Sequence, residues 1–143
     1  DEFVEGKKRA LNNEELRGLH LFRTKARCMN CHHGPLFSDN LFHKGVFSSS
    51  DAGLYKVTQK ETDIGKFKTP SLRDVMKTGP WFHNGSASHM LDILFAYNKL
   101  SPSPRSSSTQ MLYLTNKEIG AVMAFLNAIS TPPLEFTSPI LPE

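Results

Sequence analysis

Cysteine is scarce, with two in 143 residues, too few to staple a fold with disulfides. Long apolar runs are missing. No stretch reaches the roughly 20 apolar residues that cross a bilayer, so no membrane span is expected. No basic segment followed by an apolar core opens the sequence, so an exported protein would be represented here by its mature form. Lopsided charge is missing as well. Seventeen basic residues face 14 acidic ones, for a net +3, and Lys7-Lys8-Arg9 is the one tight basic cluster. Nucleic acid is therefore not expected as a partner. Hydrophobic residues at 38% against 22% charged exclude a wholly disordered chain, and the length supports one domain.

Helix signals are plentiful. Asn12 and Glu15 have capping-box spacing, and Leu11 and Leu16 that of a hydrophobic staple. Leu16, Leu19 and Phe22 form a stripe interrupted by Gly18, predicting a helix to about Arg27. Thr69-Pro70 is predicted to open a short helix with Leu72, Val75 and Met76 inward, ended by Gly79-Pro80. From near Ser88 to about Lys99, Met90, Ile93, Leu94 and Tyr97 share one face. Thr115 and Glu118 cap a last helix, with Leu114 and Ile119 as its staple. Its stripe is Ile119, Val122, Met123, Leu126 and Ile129, and Pro132-Pro133 stops it. Gly18 and Gly120 are candidates for a close crossing of the first and last helices.

Residues 33–68 are broken by Gly34-Pro35, Asp39-Asn40 and Ser48-Ser49-Ser50-Asp51, and no strand is predicted there. Residues 101–110 are low-complexity and read as a mobile loop. The division is a connector-like arm (1–11), one domain (12–131) and a tail (132–143). The class is all-α with long loops. About 35 loop residues are too many for a compact domain, unless a bound macrocycle replaces the missing core.

Residues 28–32 read Cys-Met-Asn-Cys-His. In this pattern two thiols add across the vinyl groups of haem, and the adjacent His ligates the iron. Cys28 and Cys31 are the predicted thioether anchors, His32 the proximal ligand, and one covalent haem c the cofactor. His33 would point elsewhere. The fold expected is a cytochrome c-like domain whose loops wrap that haem. Three other readings stay open, the plainest being a chance match that leaves two loop cysteines with no role. A thioredoxin-like pair lacks its βαβ context. A zinc site needs two more ligands, which His33, His43, His83 and His89 could supply without paired zinc-finger spacing. Covalent haem attachment takes place outside the cytoplasm, so a periplasmic or otherwise exported location is expected.

With these motifs in order, the sequence resembles the C-terminal haem domain of bacterial di-haem cytochrome c peroxidases and their MauG-like relatives. Leu16-Arg17-Gly18-Leu19-His20-Leu21-Phe22 precedes the haem motif as the family's segment does. Gly65–Val75 (GKFKTPSLRDV) and Thr78–Ser86 (TGPWFHNGS) match two further segments, and Tyr97-Asn98 follows. The sequence departs from the family in having one haem motif, not two, and in carrying Trp81 and Asn84 where Tyr and Asp are usual.

The resemblance implies a distal ligand seventeen residues past Pro80, at Tyr97. MauG-like members place Tyr there and the peroxidases Met. A core tyrosine beside open or water-bound iron, or a Met ligand such as Met90, remain alternatives. The resemblance also implies calcium held through the backbone oxygens of Thr78 and Pro80. Arg73 is placed to pair with a haem propionate, an exposed helical arginine being the plain alternative. Trp81 reads as a core aromatic, and His83 and His89 as structural. The expected function is electron relay, or storage of oxidising equivalents, in a di-haem peroxidase-type oxidoreductase. A second haem domain or chain would hold the peroxidatic haem, and a redox protein would be the partner. A self-standing mono-haem electron-transfer cytochrome c is the alternative.

Overall fold

The computed structural model of the chain describes residues 1–44, 50–99 and 113–131. Four helices appear there: α1 (Asn13–Arg23), a single turn α2 (Tyr55–Thr58), α3 (Met90–Lys99) and α4 (Asn116–Ala128). Two short strands, β1 (Phe42–Lys44) and β2 (Lys66–Lys68), pair antiparallel with His43 opposite Phe67. The low-complexity stretch 101–110, the Pro132-Pro133 stop and the tail lie outside the described residues.

Both predicted capping boxes form. The Asn12 side chain accepts from Glu14 and Glu15, while Glu15 accepts from the Asn12 amide at 2.8 Å. Thr115 and Glu118 repeat the arrangement on α4. α1 and α4 pack against each other at the centre of the core. A Cβ built on Gly18 would sit 1.9 Å from the Ala121 carbonyl oxygen and 2.8 Å from the Phe125 Cβ, so only glycine permits this crossing. Gly120 meets nothing within 4 Å and plays no part in it. Phe22, Ile119 and Val122 are the largest fully buried side chains. Phe125 and Leu21, absent from the predicted stripes, are buried too. Each lies just beside its expected stripe, and the close approach at Gly18 widens the contact to include them.

Three boundaries differ from expectation. α1 ends at Arg23, four residues early. Thr24 leaves helical geometry with its amide and hydroxyl both on the His20 carbonyl, the Ala26 amide reaches back to Leu21, and Arg27 turns left-handed at φ +52. The helix expected after Thr69-Pro70 is only a 3-10 turn at Val75–Lys77. Asp74 adopts φ +56, and its carboxylate accepts from the Thr131 amide and hydroxyl at 2.7 and 3.0 Å. That tertiary clamp outweighs the local helical preference. Finally, the strand pair corrects the all-α reading to a mainly helical fold with one small ladder.

α3 begins at Met90, where Asp92 accepts from the His89 amide at 3.1 Å. At its other end Asn98 grips both backbone groups of Leu114. Its Nδ2 donates to the carbonyl at 2.8 Å, and its Oδ1 accepts from the amide at 2.6 Å.

Candidate haem site

The end of α1 delivers the chain into the Cys-x-x-Cys-His motif. Cys28–Asn30 forms a 3-10 turn, and the amides of Cys31 and His32 both reach the Cys28 carbonyl, at 3.3 and 2.8 Å. Cys28, Cys31 and His32 therefore share one helical turn. Both cysteines are free thiols, partly buried. Burial pushes the Cys28 thiol up to about 12, with Cys31 adding to the effect. Burial and then Asp39 raise Cys31 as well. A Cys-x-x-Cys redox pair needs an attacking thiol lowered toward neutrality, the opposite of this environment.

His32 Nδ1 lies 2.9 Å from the Phe37 carbonyl oxygen. A carbonyl only accepts, so Nδ1 carries the proton and Nε2 keeps its lone pair. Burial lowers the His32 pKa, while the Phe37 carbonyl, Asp39 and the Pro70 carbonyl oppose it. A neutral imidazole anchored through Nδ1 on a backbone carbonyl is what an axial ligand must be. His33, next in sequence, is exposed.

Phe37 owes its position to tertiary contacts. Its φ of +50 lies in the left-handed region that bulky side chains rarely visit. Its ring packs edge-on against Phe22 and Phe125, at centroid distances of 6.2 and 6.0 Å. The two carbonyls before it are held as well. Arg73 Nε donates to Pro35 at 2.8 Å and Ser71 Oγ donates to Leu36 at 2.7 Å. Arg73 also lies over the Phe37 ring, 5.3 Å from its centroid, and pairs with Asp1. Nothing in the sequence pattern marked Phe37, because its role rests on a backbone carbonyl.

Tyr97 projects from α3. Burial pushes its phenol up to about 12, and the nearby Cys28 and Cys31 sulfurs push the same way. The structure thus brings Tyr97 into electrostatic reach of both cysteines. Met90 is buried in the apolar core. Trp81 is partly buried, with its indole N–H on the Val75 carbonyl at 2.8 Å. His83 stacks on Phe67 at 3.9 Å and lies 3.6 Å from the Asp51 carboxylate. His89, Thr78 and Pro80 are exposed.

Ligand atoms of Cys31, Asp39 and His43 lie within 4.8 Å of one another, and His43 Nε2 is 2.7 Å from the Asp39 carboxylate. Burial pulls Asp39 upward, but the Leu41 amide, His43 and Thr69 outweigh it and hold the acid at about 2. Sequence reasoning named His43 as a spare zinc ligand and saw Asp39 only as a turn residue.

A helical frame and a Cys-x-x-Cys-His turn with an oriented histidine define a small haem-protein type of domain, and the comparisons with known proteins agree. No protein-family model matches the chain. The cytochrome-c peroxidase IdrP1 of Pseudomonas sp. (strain SCT) is 33% identical over 177 aligned residues, spanning 99% of this chain and 47% of that protein. The cytochrome c551 peroxidase of Nitrosomonas europaea is 34% identical over 99% of this chain and 42% of its own length. The methylamine utilization protein MauG of Methylophilus methylotrophus is 30% identical over 100% and 44%. Among solved structures, a MauG-like protein associated with microbial copper homeostasis superposes with a TM-score of 0.74 at 24% identity, over 85% of this chain and 48% of that one. The diheme peroxidase BthA of Burkholderia thailandensis gives 0.67 at 20% identity, over 84% and 43%.

Over nearly its whole length the chain is a homologue of cytochrome-c peroxidases and MauG, at 30–34% identity. It spans about half the length of the curated relatives it matches. Among the described residues, no helix is long and apolar enough to cross a membrane.

Proposed function

We propose that this chain is a haem c electron-transfer domain, equivalent to the C-terminal half of a di-haem cytochrome c peroxidase or MauG-like oxidoreductase. Cys28 and Cys31 supply the thioethers, His32 the proximal ligand and Tyr97 the distal one. The observation that carries the reading is His32, oriented on the same helical turn as two free thiols, with its Nε2 lone pair left for iron.

A second observation supports a large apolar cofactor. From Arg27 to Ser86, Val75 is the one buried apolar side chain among the described residues, while Leu36, Leu41, Phe42, Val57 and Ile64 are exposed. Described residues that bury so few apolar side chains outright suit loops folded about a macrocycle.

Haem supplies one-electron redox chemistry at its iron when bound. The chain's part is to fix that chemistry. The Phe37 carbonyl holds the Nδ1 proton of His32, which fixes the tautomer and makes the imidazole a stronger donor, while burial favours its neutral form. Tyr97 presents a phenol oxygen, and an anionic phenolate favours ferric iron and a low potential. Such a site is better suited to holding oxidising equivalents than to accepting electrons from a high-potential donor. Backbone oxygens of Thr78 and Pro80 are the calcium ligands of this reading, with the others coming from a second haem domain. Residues 1–11 are the connector to that domain, and 12–131 the haem domain itself. The location is periplasmic, and a redox protein is the partner.

The test is the intact mass of the denatured protein from its host, since thioether-linked haem survives denaturation. One haem per copy of this sequence is expected, lost when Cys28 and Cys31 are both changed to Ala. Tyr97→Phe should alter the ferric spectrum, and an unchanged one would exclude Tyr97 as ligand. A colourless protein carrying stoichiometric zinc would overturn the haem reading in favour of the Cys31–Asp39–His43 cluster.

A further inference from the structure

We infer that Ser71 and Arg73 are positioning residues for the axial histidine, acting through the backbone of Pro35–Phe37. The inference rests on the haem reading given above and concerns how its proximal ligand is tuned.

A left-handed Phe is unfavourable and persists only where its surroundings over-determine it. Here the surroundings are specific. Ser71 Oγ holds the Leu36 carbonyl at 2.7 Å, and Arg73 Nε holds the Pro35 carbonyl at 2.8 Å. Arg73 also covers the Phe37 ring, whose edges meet Phe22 and Phe125. The Phe37 amide closes the turn onto Gly34 at 3.0 Å. The fasteners hold three consecutive residues, Pro35 to Phe37, and the carbonyl of the last faces His32 Nδ1 at 2.9 Å.

The chemistry of that bond gives Ser71 and Arg73 an effect at a distance. A strong Nδ1–H···O bond gives the imidazole anionic character and makes Nε2 a better donor, which stabilises ferric iron. Loosening the strap weakens the bond, so the ferrous form gains and the reduction potential rises.

Arg73 as a propionate partner predicts the opposite sign. Removing a cation beside the haem stabilises the more positive ferric state, and the potential falls. Ser71 separates the two ideas further, because it carries no charge: its hydroxyl donates to the Leu36 carbonyl and accepts the Arg73 amide at 3.1 Å.

The experiment is potentiometric titration of the haem-loaded protein, wild type against Ser71→Ala and Arg73→Ala. Proton NMR of the His32 ring accompanies it. Both variants are expected to raise the ferrous-to-ferric ratio at fixed potential by about threefold, roughly 28 mV for a one-electron couple at 59 mV per decade. The Nδ1 proton should also exchange faster. Ser71→Ala removes two exposed hydrogen bonds and leaves the core intact, so it carries the test if Arg73→Ala does not fold. A fall in potential for Arg73→Ala with no change in Ser71→Ala would overturn the inference in favour of a propionate partner. Unchanged potentials and unchanged exchange would overturn it outright. A wild-type protein without haem would instead refute the underlying functional reading, and the inference with it.

Discussion

α1 and α4 meet through apolar side chains and bare backbone, whereas the segment from Cys28 to Ser86 is held by polar fasteners. In the helical frame Phe22, Ile119, Val122 and Phe125 are at most 2% exposed, and both helices carry their own capping boxes. In the middle segment the buried Ser38 hydroxyl donates to the Thr69 carbonyl at 2.7 Å and accepts the Asn40 amide at 3.0 Å. Asp74 ties down Thr131, and Phe37, Asn40, Gln59, Asp74 and Phe82 all adopt positive φ. Apolar packing is tolerant of small shifts, and directional bonds are not. The frame supplies stability, and the strapped segment supplies fixed positions for the atoms that do chemistry.

Substitutions can break that contrast. Phe22→Ala should cost about 3–5 kcal/mol, since it empties the centre of the frame, read by denaturant unfolding. Gly18→Ala forces a Cβ into the Ala121 carbonyl and should cost about 3 kcal/mol by overpacking. The same change at the open Gly120 should stabilise by about 0.5–1 kcal/mol, so the two glycines test whether the crossing, and not helix propensity, sets the effect. Ser38→Ala leaves the buried Thr69 carbonyl without this donor and should cost about 1–3 kcal/mol. If instead it is neutral, the fasteners of the middle segment are ornamental. Thr115→Ala should remove about 1 kcal/mol through the lost cap.

The smallest effect is a slope with pH. Glu118 pairs with Lys25 Nζ at 2.7 Å and accepts the Thr115 amide, and these hold its acid at about 2, below the usual 4.5. A depressed folded-state pKa means stability present above about 4.5 and lost as pH falls toward 2. Glu118→Gln should flatten that acid limb, measured as the melting temperature between pH 5 and 2.

The frame was legible in the sequence because its causes are local. Asn12 with Glu15, and Thr115 with Glu118, announce helix starts, and 3.6-residue periodicity names most of the core. Gly18 was legible as a close approach, while Gly120 had the same letter and no contact. That Cys28, Cys31 and His32 share one turn was readable from their spacing. What stayed hidden depends on partners distant in sequence. Asp74 leaves the predicted helix to reach Thr131, 57 residues away. Ser71 and Arg73 bind carbonyls 35 and 38 residues back. The three-residue strands are too short for an alternating pattern to emerge, and no letter in the sequence records that Phe37 offers its carbonyl.

The grip of Asn98 on Leu114 has a use for engineering. One side chain makes the amide-to-amide pairing of a miniature strand, so the ends of residues 99–113 are joined independently of what lies between. Lengthening that stretch adds closure entropy slowly, about 0.6 kcal/mol per doubling. An affinity tag inserted there is expected to leave the α1–α4 packing and the Cys28–His32 turn intact, read as an unchanged melting temperature.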